Sequence, residues 1–113
     1  MDVEREFRRV LGKLPAEVYI GVPETRPEEF YSIELTDTVT AHAGALAAST
    51  IAVQCWAAAR DRARELFDAL ADKLPSICYA SGPIGSATLE GGYRFDDLES
   101  GTPRYQALIK LTH

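Results

Sequence analysis

Two hydrophobic periodicities alternate along the chain and predict its helices and strands. Apolar residues recur at helical spacing over 2–13 and again over about 58–74, where Pro75 ends the second pattern. Apolar runs of strand length fill the remaining segments, and several of them alternate with polar residues. The predicted strands are residues 17–23, 30–35, 50–57, 87–95 and 104–113.

This order of helix, three strands, helix and two strands predicts a small single-domain α+β sandwich over residues 1–113. Two helices would lie beside one mainly antiparallel sheet. The stretch 36–49 is rich in Thr and Ala and predicts a long hairpin loop, which in a small domain is usually functional. Residues 77–86 are predicted to be a connector, and Gly91-Gly92 predicts a bulge or turn in the fourth strand.

Composition narrows the function classes. A chain of 113 residues with 46% hydrophobic residues fits one domain with its own core. Its formal net charge of -5 argues against a protein that binds nucleic acid phosphates through a general basic surface. The negative charge is compatible with a protein that lines a channel through which DNA passes without binding. We expect neither a signal peptide nor a membrane span, and therefore a cytoplasmic location in the producing cell.

Candidate chemistry is sparse. The common phosphate-binding, metal-binding and nucleophile motifs are absent from the sequence, so we expect no cofactor, no metal and no enzymatic activity. Cys55 and Cys78 are expected to be buried thiols. His42, in the predicted loop, is expected to be a solvated or interface side chain. Two alternatives stay open, a regulatory interaction module and a small ligand-binding domain with a pocket near three tyrosines: Tyr79, Tyr93 and Tyr105.

Charge placement predicts an interface between subunits. Three arginines stand in the first turns of the second predicted helix, although the helix dipole favours acids there. We expect them to meet acidic loops of a neighbouring subunit, 24–29 or 96–99, whereas compensation by acids of the same helix is the alternative. The candidate interface residues are Arg60, Arg64, Glu28, Glu29, Asp96, Asp97 and Arg104.

Two stretches resemble a known family. The strand-into-helix run "IAVQCWAAARDRARELFDALADKL", a Gly-Pro connector and then "SGTPRYQALIKL" resemble tail terminator proteins of long-tailed phages, also known as minor tail or tail completion proteins. In that family a helix opens the chain, a β-hairpin with a long loop follows, and a G-x-P-R-Y segment starts the last strand. Here that segment is Gly101, Pro103, Arg104 and Tyr105. Where members often carry a Pro-Asp pair upstream of it, this chain has Phe95-Asp96.

The resemblance implies a structural virion protein. Such proteins form a hexameric ring that caps the tail tube, stops its polymerisation and presents a surface to the head's connector. The implied location is the head-proximal end of the tail, after assembly in the host cytoplasm, with DNA only passing through the channel. We expect loop 36–48 to contact the tube or a neighbouring subunit through four residues: Thr38, Val39, His42 and Leu46. The alternative role is a neck or head-completion protein between portal and tail.

Overall fold

This computed structural model describes residues 2–39 and 47–113. They contain three α-helices and five strands. The elements are α1 (Val3–Val10), β1 (Val18–Ile20), β2 (Phe30–Val39), β3 (Ala48–Trp56), α2 (Arg60–Lys73), α3 (Ile77–Ala80), β4 (Ser86–Arg94) and β5 (Arg104–Thr112). A 3-10 turn, Leu74–Ser76, joins α2 to α3. The predicted element order is confirmed, with α3 as an addition.

The five strands form one sheet in the order β1-β2-β3-β5-β4. β1 runs parallel to β2, and the other neighbouring pairs are antiparallel. The short β1 and the longer β4 are therefore the two edge strands. The predicted class, α+β with a mainly antiparallel sheet, is confirmed.

Helices α1 and α2 cover one face of this sheet. Phe7 of α1 and Leu66 of α2 are fully buried in one cluster with sheet residues such as Tyr31 and Val53. The Tyr31 hydroxyl donates to the Leu66 carbonyl at 2.6 Å, which satisfies a polar group inside the core. Successive strand residues point to opposite faces of the sheet. The strand residues that alternate with Tyr31 and Val53 therefore lie on the other face, which carries no helix.

The two long helices differ in how they begin. Asp2 caps α1 by accepting from the backbone N–H of Arg5 at 3.2 Å. α2 begins after Ala59 without a side-chain cap, so its stability depends on the apolar face that it buries. The buried residues of that face are Ala63, Leu66 and Leu70.

The predicted bounds of the connector 77–86 are wrong at both ends, because α3 begins at Ile77 and β4 begins at Ser86. Pro75 lies in the 3-10 turn, where a missing backbone donor is tolerated, and the chain then continues into α3. Ile77 is the buried residue of α3, whereas Cys78 is exposed. The prediction that both cysteines are buried therefore holds for Cys55 alone, whose thiol pKa is raised by burial.

The strands around the predicted loop 36–49 are longer than expected. β2 runs to Val39 and β3 starts at Ala48, and the two remain paired to that point. Thr36 is the extra residue of a bulge, and its hydroxyl donates to the Thr50 carbonyl at 3.0 Å. β-branched threonines favour this extended backbone. The middle of the predicted loop, residues 40–46, lies outside the described residues.

The predicted irregularity in β4 is confirmed as a bulge. The register of β4 on β5 shifts between Leu89 and Gly91. Gly92, just after it, faces the helices, and a Cβ built there would clash with the ring of Phe67. The glycine therefore permits a close approach of α2 to the sheet.

Candidate interaction site at one end of the sheet

Trp56 is the centre of a cluster on the helix-free face of the sheet. It ends β3, is 2% exposed and lies outside the core between helices and sheet. The Phe30 ring stacks on it with centroids 5.3 Å apart and planes at 11°. Its indole N–H donates to the Ser32 hydroxyl at 2.9 Å. The ring is thereby fixed from two sides.

Two guanidinium groups cover the same indole. The Arg26 and Arg104 guanidinium carbons lie 5.0 and 4.7 Å from the centroid of a Trp56 ring, within cation–π range. Arg104 also lies 4.5 Å from the Phe95 centroid and donates to the Phe95 carbonyl at 2.6 Å. Arg26 forms an ion pair with Asp97 at 3.5 Å. The loops 21–29 and 95–103 therefore meet above Trp56.

The acids of the 95–103 loop have partners within the chain. Asp96 pairs with Arg94, which lowers the pKa of that carboxyl. Asp97 accepts from the Ser100 hydroxyl at 2.6 Å, and this bond is the main cause of its lowered pKa. Arg60 lines a cleft of about 470 Å³ together with Arg94 and Asp96.

The acidic loop before β2 pairs with α2 of the same chain. Arg62 binds the Glu29 carboxylate with two hydrogen bonds of 2.7 and 2.9 Å, and these lower the pKa of Glu29. Arg62 also pairs with Glu65 at 3.0 Å, and Arg64 pairs with Asp68 at 3.0 Å. Two of the three arginines at the start of α2, Arg62 and Arg64, are thus paired within the chain, partly by acids of their own helix.

Five of the seven predicted interface residues lie at the sheet end where β2 begins and β3 ends. This region is called the charged end below, and it comprises Arg26, Glu29, Trp56, Arg60, Arg94–Asp97 and Arg104. Glu28 is exposed beside Glu29, and Arg64 lies one turn into α2. A head-to-tail interface needs two patches that face different directions. The predicted arginines and acids are neighbours in one chain, so together they make at most one of those patches.

Thr38 lies at the opposite end of β2. Its hydroxyl is 3.1 Å from the Ser49 hydroxyl, which in turn contacts Nε2 of His113 at 2.7 Å. Ser86 and Thr112 make a similar contact at 2.6 Å. We call this region the hydroxyl end. It comprises Thr38, Ser49, Ser86, Thr112 and His113.

The other predicted contact residues follow Thr38 along the chain. Val39 is the last residue of β2, whereas His42 and Leu46 lie outside the described residues. The backbone of β2 places the two ends of the sheet about 30 Å apart, at roughly 3.3 Å per residue. Residues 38–39 are therefore well separated from the charged end.

The three tyrosines predicted to border a pocket are not brought together. Tyr79 is 90% exposed on α3, Tyr93 accepts from Gln106 on the helix-free face, and Tyr105 packs against Phe67. Three surface clefts of the described chain are lined by other residues. Within residues 2–39 and 47–113, no three potential metal ligands come together. No helix of these same ranges is long and apolar enough to cross a membrane.

Sequence reasoning missed the centre of the charged end. Trp56 lies in the predicted strand 50–57 and Arg26 in the predicted acidic loop 24–29, and neither is a predicted interface residue. A guanidinium that stacks on an indole from a distant loop leaves no periodic signal in the sequence. Arg62 was recognised among the arginines of the helix, but its partner Glu29 is 33 residues away.

Comparison of the chain with protein-family models gave no match, and comparison with curated proteins gave none either.

Proposed function

We propose that this protein is a tail terminator of a long-tailed phage. In this role it forms a ring that caps the tail tube, stops tube polymerisation and offers the surface to which the head's connector joins. Its partners are other copies of the chain, the tube protein and the connector, and DNA passes through the ring as cargo. The role is structural and needs neither catalysis nor a cofactor.

The "GTPRY" segment is the observation that carries the proposal. Gly101 adopts a positive φ of 69°, a backbone conformation in which glycine is favoured, and the chain then enters β5 at Arg104. The Arg104 side chain stacks on Trp56, the last residue of the strand that precedes α2. The two stretches that carry the family resemblance therefore contact one another, which is expected if they form one functional unit.

The separation of the two sheet ends supports a role between different partners. The charged end offers guanidinium, carboxylate and aromatic groups, and the hydroxyl end offers short hydroxyl side chains. An assembly protein that contacts neighbours through one surface and the tube through another needs such separated surfaces. We assign tube contact to the hydroxyl end and neighbour contact to the charged end.

A binding experiment tests the role against its alternative. The purified chain is passed over immobilised tube protein and, separately, over immobilised connector protein, both encoded in the same genome. We expect binding to assembled tubes, and reduced binding after Thr38→Arg, which adds charge and bulk at the hydroxyl end. A matched control is Glu90→Arg, an exposed position of the edge strand β4.

Binding to the connector without binding to tubes would overturn the terminator role. That result would favour the neck or head-completion role instead. Binding to neither protein by a folded chain would argue against both tail roles.

A further inference from the structure

A leucine projects from a well-defined acidic turn at the charged end. Leu98 is 95% exposed, although large aliphatic side chains are usually buried. The backbone around it is held by hydrogen bonds from Asp97 to the Thr102 carbonyl at 3.1 Å and from Gly101 to the Asp97 carbonyl at 2.8 Å. A side chain on such a preorganised turn loses little conformational freedom when it binds a partner.

The charge next to this leucine is not compensated by another described residue. Asp96 and Asp97 have ion-pair partners in Arg94 and Arg26. Glu99, on the other side of Leu98, forms no ion pair within residues 2–39 and 47–113. The tip of the turn, defined as Leu98 and Glu99, therefore presents one apolar and one negative side chain to solvent.

A cleft of about 620 Å³ lies beside the C-terminal half of α1. Apolar residues of the connection from α1 to β1 form part of its lining, among them Leu14 and Ala16. Arg5 and Arg8 line it as well, and the Nε of Arg8 donates to the Val18 carbonyl at 2.9 Å. This hydrogen bond fixes the Arg8 guanidinium at the cleft.

The cleft carries an excess of positive charge. Arg9 pairs with Glu6 at 2.7 Å, and Glu29 is bound by Arg62, so these lining charges are already compensated. Arg5 and Arg8 then stand against the single acid Glu17. A partner that places an apolar side chain and a carboxylate here would match the apolar and the positively charged lining of the cleft.

We propose that the Leu98–Glu99 tip of one copy docks in the Arg5–Arg8 cleft of a second copy. Leu98 enters between Leu14 and Ala16, and Glu99 approaches the two guanidinium groups. The contact joins two different surfaces, because the tip follows the edge strand β4 and the cleft lies beside β1, the edge strand on the other side of the sheet. Each copy therefore offers a free tip and a free cleft, and repetition builds a ring or a filament. The inference deepens the proposed function by naming the subunit interface of the ring. It replaces the arginines of α2 with those of α1 as the basic half of that interface.

Cysteine cross-linking between two variants tests the contact. In a Cys78→Ser background, which removes the exposed native thiol, Leu98→Cys is made in one variant and Ala16→Cys in another, differently tagged variant. We expect a mixed disulfide dimer after mild oxidation of the mixture, in solution or on tubes. The matched control replaces Ala16→Cys with Asp72→Cys, an exposed position on α2. Cross-linking at the control position equal to that at position 16 would overturn the contact.

A charge exchange gives an independent readout. Glu99→Arg and Arg5→Glu should each weaken self-association, and their equimolar mixture should restore it, because every contact then joins opposite charges. Leu98→Ser should raise the dissociation constant about tenfold to a hundredfold, from the lost burial of one leucine. Far-UV circular dichroism checks that each variant is folded. Unchanged association of all three single variants would contradict the inference.

The outcomes separate this inference from the proposed function. A wild-type chain that caps tubes as a ring, but gives neither the cross-link nor charge rescue, retains its function and uses another interface. A chain that self-associates through the tip and cleft, yet does not bind tubes, keeps the interface and loses the terminator role. A chain that stays monomeric at high concentration and on tubes overturns the inference directly.

Discussion

The two ends of the sheet are held together by different chemistry. At the charged end, two loops that are distant in sequence meet above Trp56 through Arg26, Asp97 and Arg104. At the hydroxyl end, contacts run directly between strand residues, as in the pair Thr38 and Ser49. One end is formed by side chains that fix loops, and the other by short polar groups within the strands.

This difference shows why charge counts alone do not locate an interface. Most ionic groups at the charged end satisfy one another inside the chain, as Arg62 does with Glu29. The exposed tip of Leu98 and Glu99 is left available to a partner. Exposed ion pairs contribute little to stability individually, so the aromatic stack should dominate the energetics of this end.

Removal of the indole should have the largest effect. Trp56→Ala deletes the stacking with Phe30, both guanidinium contacts and the hydrogen bond to Ser32. We expect the free energy of unfolding to fall by about 3–5 kcal/mol, measured by urea denaturation. Trp56→Phe is the matched control and should cost less, because it retains a stacked ring. A loss below 1 kcal/mol for Trp56→Ala would contradict the central role of this cluster.

A methyl group at the closest helix–sheet approach should have the next largest effect. Gly92→Ala places a Cβ against the Phe67 ring, so we expect a loss of about 1–3 kcal/mol in unfolding free energy. Gly91→Ala is the control, because a Cβ there has no neighbour within 4 Å. A double variant with Phe67→Ala should remove the clash. Equal effects at the two glycines would show that backbone freedom, rather than close packing, decides the cost.

The hydroxyl end should respond more weakly. Ser49→Ala removes a 1% exposed hydroxyl from its contacts with Thr38 and His113. We expect a loss of about 1–2 kcal/mol in thermal or urea unfolding. Ser86→Ala, which breaks a half-buried contact with Thr112, should cost less. A loss as large as that of Trp56→Ala would remove the distinction between the two ends.

The smallest effect should come from an ion pair, and it should depend on pH. Because Arg62 lowers the pKa of Glu29, this carboxylate stabilises the fold above its ordinary value of 4.5. The stabilisation is lost as the pH falls through the lowered pKa. Glu29→Gln should therefore cost about 0.5–1 kcal/mol at neutral pH and progressively less below pH 4.5, measured by urea unfolding at each pH.

Glu28→Gln is the matched control for this titration, since its exposed carboxylate neighbours Glu29 without belonging to the Arg62 pair. It should leave the unfolding free energy nearly unchanged at neutral pH. A pH-independent loss for Glu29→Gln would mean that the carboxylate does not act through its charge.

Local patterns predicted most of the fold. Helical spacing and strand patterns predicted α1, α2 and the five strands, and Gly91-Gly92 predicted the irregularity in β4, because each depends on residues close in sequence. The predicted connector failed at Ile77, where burial extends a helix after a proline that ordinarily ends one. The start of β3 was missed because Ala48 and Ser49 are extended by pairing with β2 and β5 rather than by their own preference.

The candidate site could be predicted only in part. Glu29 and Asp97 are predicted interface residues, and that role stays a prediction; the structure pairs them with Arg62 and Arg26, which lie far away along the chain. Ion pairs between residues that are distant in sequence depend on how the loops fold over the charged end of the sheet. The resemblance to tail terminators supplied the functional hypothesis, which stays a prediction.

A tube-capping assay tests the central claim most directly. Purified tube protein from the same genome is polymerised with and without this chain, and tube length and end shape are measured by negative-stain electron microscopy. We predict shorter tubes with an additional ring at one end, and loss of that ring with the Leu98→Ser variant. Tubes of unchanged length with bare ends, with both proteins folded, would contradict the terminator role.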